Sequence, residues 1–164
     1  FRVEKAPEGR GQRVFVKHEV DGKGYELRLS EESAGTQKLM GLAAFLLAAL
    51  ERGGTVVVDE LDAKLHPKLL RYVILLFKDP EVNKHGAQLI FSSQDVSTMR
   101  NDVFRRDEIW FAARGEGEAS QLWSLADIHE ANGNLVSKNA AFDKQYLSGR
   151  YGADPYLTRI EEWD

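Results

Sequence analysis

The chain has 164 residues and a net charge of −4, with 43% apolar and 29% charged residues; this suits one soluble globular domain with its own core and excludes a disordered chain. It contains no cysteine, which excludes a disulfide framework and a thiolate metal site and fits a reducing cytoplasm. No apolar run reaches the length of a membrane span and no signal peptide is present; the mild acidity argues against a nucleic-acid face over the whole domain but leaves a local basic patch open.

The first pattern in chain order is "QRVFVKHEV", which alternates apolar and polar residues, with Val14, Val16 and Val20 among the apolar set. "DGKG" and then "YELRLS" follow, so the segment predicts a β-hairpin. In "EESAGTQKLMGLAAFLLAALERGG", Leu39, Leu42, Ala43, Leu46 and Leu50 fall on one face of a helix that Gly53 and Gly54 end. "TVVVDE" has no alternation and predicts a strand buried on both faces. "LHPKLLRYVILLFKD" predicts a second helix with Pro67 in its first turn, broken by "NKHG", and "AQLIFSS" a further apolar strand. Strand, helix, strand at this spacing is a βαβ unit with parallel strands. "DEIWFAAR" and "SQLWSLADI" predict two strands around "GEGE", with Trp110 and Trp123 in the core. A last helix is expected from Asn139 to Gly149, then an irregular tail. No internal repeat or linker is evident, so residues 1–164 read as one unit.

Ligands of open parallel sheets sit beyond the carboxyl ends of the strands. Asp59 and Glu60 lie at that end of the first βαβ strand, and Ser92, Ser93 and Gln94 at that end of the second. Asp59 suits a Mg²⁺ ligand acting through the water shell, and Glu60 a base that polarises water attacking a γ-phosphate. Two other readings stand beside this one: a solvated acidic strand end, and a nuclease metal cluster of Asp59, Glu60 and Asp62. Upstream, Ser33 is a suitable N-cap, and Ala34 and Gly35 are small enough to let backbone N–H groups approach a phosphate. An ordinary Ser-capped helix explains the same residues.

Together, "ESAGTQKL", "TVVVDELDAKLHP" and "QLIFSSQD" resemble, in order and spacing, the second half of an ABC-type ATPase head of the SMC-like branch. "DELDAKLHP" with the late "YLSGRYGADP" is similar to bacterial AAA-family ATP-binding proteins of abortive infection and phage defence. The resemblance runs over roughly residues 30–156 and rests on three ordered motifs. It implies an α/β fold, the C-terminal lobe of a P-loop NTPase, with a mostly parallel sheet and flanking helices. It implies that Ser33, Ala34, Gly35, Thr36 and Gln37 form the signature that meets the γ-phosphate held by a second head. It likewise implies Walker B at Val56 to Glu60, a D-loop from Leu61 to His66 that includes Asp62, and a switch at Ser92 to Asp95 with Gln94 in place of the usual histidine. ATP and Mg²⁺ are the implied cofactors, a second head in a homodimer the implied partner, and an effector protein a further one.

The sequence departs from that pattern in one large respect: it contains no G-x-x-x-x-G-K-[ST], so the phosphate cradle and its lysine are absent. The chain begins at Phe1, and the expectation is a C-terminal fragment whose Walker A half lies upstream, inactive alone. His66 stands where the D-loop has Asp, and serves equally as a polar residue in a helical first turn. His18, His85 and His129 have no metal spacing and read as structural or exposed, and "FRRDE" as a solvated turn, with a small basic contact as the other reading. The alternative from another functional class is a non-catalytic module for dimerisation or sensing.

Overall fold

The computed structural model describes residues 1–5, 11–114, 119–130 and 133–153. They form two compact units, divided between Ser93 and Gln94, where the sequence suggested one. Among the described residues no helix is long and apolar enough to cross a membrane.

The first unit opens with a three-stranded antiparallel sheet of β1 (Arg2–Lys5), β2 (Gln12–Val20) and β3 (Lys23–Arg28), with β2 central. The β2–β3 hairpin turns on Asp21 and Gly22, whose φ values of 52° and 72° are both left-handed. That is the geometry a two-residue turn needs to match the strand twist, and Asp-Gly supplies it at low cost. α1 (Ala34–Arg52) begins at Ser33, whose Oγ accepts from Thr36 N at 3.1 Å. It stops at Gly53, with φ 75°. Gly53 N and Gly54 N both donate to Ala49 O, at 2.8 and 3.1 Å. A side chain at Gly53 would also collide with the His85 carbonyl oxygen, so two separate constraints require glycine.

β4 (Thr55–Val58), α2 (Pro67–Lys78) and β5 (Gln88–Phe91) form the expected βαβ unit, with β4 and β5 parallel and Val57 opposite Ile90. Asn83 ties the end of α2 to the start of β5: its amide donates to Phe77 O and Ala87 O at 2.7 and 2.8 Å and accepts from Ala87 N at 2.6 Å. Leu46, Ala49 and Leu50 of α1, Leu70, Val73 and Ile74 of α2, and Val58, Leu61, Leu65 and Ala87 are the buried apolar residues of this unit. Two expectations are corrected here. The sheet is not mostly parallel, because β4–β5 is the one parallel pair among the described strands. Nor is β4 covered on both faces: successive side chains alternate, and Val57 and Ile90 are 72% and 56% exposed.

The second unit holds a β6 (Trp110–Arg114) and β7 (Ser120–Ser124) hairpin and a short α3 (Phe142–Leu147). The "GEGE" turn lies outside the described residues. α3 is shorter than the helix expected from Asn139. Its core is Ile109, Phe111, Leu125, Val136, Phe142 and Tyr151. Phe111 stacks on Tyr146 with centroids 5.7 Å apart and leans on Tyr151 at 5.3 Å. Trp123 joins this cluster and donates from Nε1 to Tyr151 O at 3.1 Å. Trp110, by contrast, is 57% exposed, because its place in the strand puts it on the face away from that core. The late "YLSGRYG" thus has a structural role: left-handed Gly149 turns the chain between Tyr146 and Tyr151, and both rings reach Phe111. Asp154 and Pro155 of that motif, and the tail after them, lie outside the described residues.

Candidate functional site

β4 and β5 end side by side, and their parallel register sets Val58 opposite Phe91. The residues that follow are therefore neighbours in space. Ser92 Oγ donates to Asp59 Oδ1 and accepts from Glu60 N at 2.7 Å. Leu61 N donates to Ser92 O at 3.0 Å, and Ser92 N to Val58 O at 3.1 Å. One serine thus aims the Asp59 carboxylate and holds the peptide that carries Glu60. Glu60 has φ 48°, a left-handed backbone that a non-glycine residue adopts at a cost of about 1–2 kcal/mol. The chain leaves the strand there in a tight turn, Ala63 N bonding Glu60 O at 3.1 Å and Leu65 N bonding Asp62 O at 2.9 Å. Asp59 and Glu60 are both exposed.

The start of α1 comes to this same turn. A Cβ on Gly35 would lie 2.7 Å from Lys64 O, so the absence of a side chain lets α1 approach the turn. Lys64 is itself left-handed, with φ 66°. Lys38 Nζ donates to Glu60 O at 2.5 Å. Between the helix start and the turn is an open hollow of about 390 Å³ lined by Ala34, Gln37, Lys38, Ala63 and Lys64. Ser33 and Thr36 are joined through their hydroxyls at 2.8 Å. Gln37 donates to Glu32 O at 2.8 Å, spending its amide on the backbone just before the helix. His18 of β2 pairs with Glu32 at 2.5 Å, so this flank is held from the hairpin as well.

Other expected site residues take different places. His66 is the N-cap of α2: its Nδ1 accepts from Lys68 N at 3.1 Å, which puts the ring proton of a neutral imidazole on Nε2. Asp62 is half-buried, and its Oδ1 is buried with no hydrogen-bond partner among the described residues. Gln94 is exposed in the second unit. It is not the cap of the turn at Val96–Thr98; Asp95 is, accepting from Ser97 N at 2.7 Å.

Among the described residues no three His, Cys, Asp or Glu side chains converge on a point that could hold a metal ion. Asp59, Glu60 and Asp62 therefore do not make the cluster that a nuclease would need. Asp59 alone, oriented by Ser92, fits another use: Mg²⁺ keeps several waters and takes one or two carboxylates together with nucleotide phosphates. The residues present suit Mg²⁺ brought in with a nucleotide.

Lys38 and Lys64 were not singled out in the sequence. Helical spacing held the signal for Lys38, which lies four residues after Ala34 and so on the same face of α1.

No curated protein matches the chain. A family profile described as "AAA domain, putative AbiEii toxin, Type IV TA system" matches residues 2–100 of the 164, from β1 through both carboxylates and past Gln94. The chain belongs to this family of AAA ATPase-like domains.

Proposed function

We propose that this chain is the signature- and Walker B-bearing part of an ABC-type ATPase head that hydrolyses ATP between two heads packed head-to-tail, and that it acts in bacterial phage defence in the cytoplasm. The observation that carries the reading is the Ser92 bridge. It joins the ends of two parallel strands, aims Asp59, and fixes the left-handed peptide of Glu60, beside the N-terminus of a 19-residue helix. A helix of that length presents free N–H groups and a positive dipole end, which suit a phosphate.

In this reading Glu60 accepts the proton of the attacking water, and the exposed carboxylate has room to do so. Asp59 holds Mg²⁺, which when bound offsets charge on the phosphate oxygens. Ser33, Ala34, Gly35, Thr36 and Gln37 of one head meet the γ-phosphate carried by the other. Gln94 is a neutral γ-phosphate sensor that donates one hydrogen bond. Asp62 and His66 belong to the D-loop. The Walker A cradle, absent from these residues, comes from a separate segment. The bare apolar face at Val57 and Ile90 supports this, because parallel sheets are covered on both sides. Hydrolysis reopens the pair and gates an effector.

The test is sedimentation and phosphate release with the complete protein, the signature half together with its Walker A half. ATP with Mg²⁺ should convert single heads to pairs and give steady hydrolysis. Single heads throughout, with no phosphate released, would refute the proposal.

A further inference from the structure

We propose that Lys38 is a positioning residue that couples the signature helix to the catalytic turn; the inference rests on the ATPase reading above. The backbone of Glu60 is held from two sides. Its N–H goes to Ser92 Oγ at 2.7 Å, on the β5 side, and its carbonyl oxygen accepts from Lys38 Nζ at 2.5 Å, on the α1 side. The same carbonyl also accepts from Ala63 N within the turn, at 3.1 Å; with both polar groups of the residue fixed and φ at 48°, the direction of its Cα–Cβ bond, and so of its carboxylate, follows from where Ser92, Lys38 and the turn stand.

β5 is anchored in the sheet. α1 is the element whose N-terminus would take the load of a phosphate, and Lys38 is on its second turn, half-buried. A second contact ties the same helix to the same turn: Gly35 lies against Lys64 O so closely that a Cβ would reach 2.7 Å. A small shift of α1 is therefore transmitted to the turn at two points, and at one of them directly to the peptide of Glu60. The chemistry suits the task. An ammonium group donating to a carbonyl is a charge-assisted bond, and the flexible four-carbon stem of lysine has the length to bring its head to the turn.

In a head-to-tail pair the signature and Glu60 of one chain serve different nucleotides. Lys38 then links the two sites: a signature seated on one ATP sets the glutamate that acts on the other. The consequence is cooperative hydrolysis that depends on this side chain.

The experiment uses Lys38→Met, which keeps the stem without donors, and Lys38→Arg, which keeps the donors. In the complete ATPase, Lys38→Met should lower kcat about tenfold, the lower range for loss of a hydrogen bond to a charged group. The KM for ATP should stay near the wild-type value, and a Hill coefficient above one should fall to one. Lys38→Arg should restore most of both. Amide hydrogen exchange, read without nucleotide, should rise about tenfold at residues 59–65 in Lys38→Met while α1 keeps its protection. Wild-type kcat and Hill coefficient in Lys38→Met, or unchanged exchange at 59–65, overturn the coupling. A wild-type protein that releases no phosphate refutes the ATPase reading instead, and the exchange measurement still decides whether Lys38 holds the turn.

Discussion

Ser92 and Asp59 are 33 residues apart in sequence and joined by a single hydroxyl hydrogen bond across the ends of two parallel strands. The same oxygen accepts the amide of Glu60, so one side chain controls the placement of both acidic residues. The role predicted for Ser92 follows. Ser92→Ala leaves Asp59 without its donor and Glu60 N without its acceptor. Water reaches both, so the stability cost should be small, about 0.5–1.5 kcal/mol per bond. Activity should suffer more, because misplacement of a reacting group by about 1 Å costs on the order of 100-fold. Ser92→Thr keeps the hydroxyl and should retain most activity. Calorimetry and steady-state kinetics on both variants check this; equal activity in Ser92→Ala would remove the serine from the account.

Gly53→Ala should destabilise the first unit by about 2 kcal/mol or more. The left-handed backbone alone costs about 1–2 kcal/mol for a residue with a Cβ, and the methyl must displace the His85 carbonyl. Urea unfolding followed at the helical signal measures it. A change within a few tenths of a kcal/mol would mean that the loop at His85 yields freely.

Tyr151 sets an alkaline limit on the second unit. Burial raises its phenol from the ordinary value near 10 to about 12, helped by Glu130 and Asp143 and opposed by Arg150. The folded state binds the proton more tightly than the unfolded chain. The stabilisation is therefore complete below pH 10 and is lost as pH rises toward 12. Tyr151→Phe should remove that dependence. At neutral pH it should cost about 0.5–1.5 kcal/mol for the hydrogen bond to Gln145. Ultraviolet difference titration should show a late-ionising phenol in wild type that is missing in the variant.

What the sequence disclosed depended on how local the cause was. Asp21-Gly22, Ser33, Gly53 and Pro67 act within a turn of their own position, and the hairpin and both long helices appear where those residues predict them. β1 was missed because "RVEK" is four exposed residues, too few for alternation to register. The run of valines in β4 read as covered on both faces because valine is apolar whether or not a second layer is present; the exposure of Val57 is a property of its neighbours. The carboxylates were legible from the βαβ pattern, since parallel strands must bring their ends together. Lys38 was not, because its contact with Glu60 spans 22 residues and depends on how α1 packs.

The 164-residue chain alone should bind ATP weakly and hydrolyse none, because no lysine-bearing loop holds the β- and γ-phosphates. Isothermal calorimetry with ATP and Mg²⁺ should show no saturation at micromolar nucleotide. Tight binding by this chain would contradict the division of the site between two segments.

The central claim is that Glu60 is the base. The most direct measurement is single-turnover hydrolysis by the complete protein carrying Glu60→Gln, with ATP binding followed in the same samples. The amide keeps the shape of the side chain and cannot take a proton from water. A general base contributes roughly 10²–10⁴-fold, so the chemical step should slow by about that factor while nucleotide binds as in wild type and paired heads accumulate. Hydrolysis at the wild-type rate in Glu60→Gln would contradict the account.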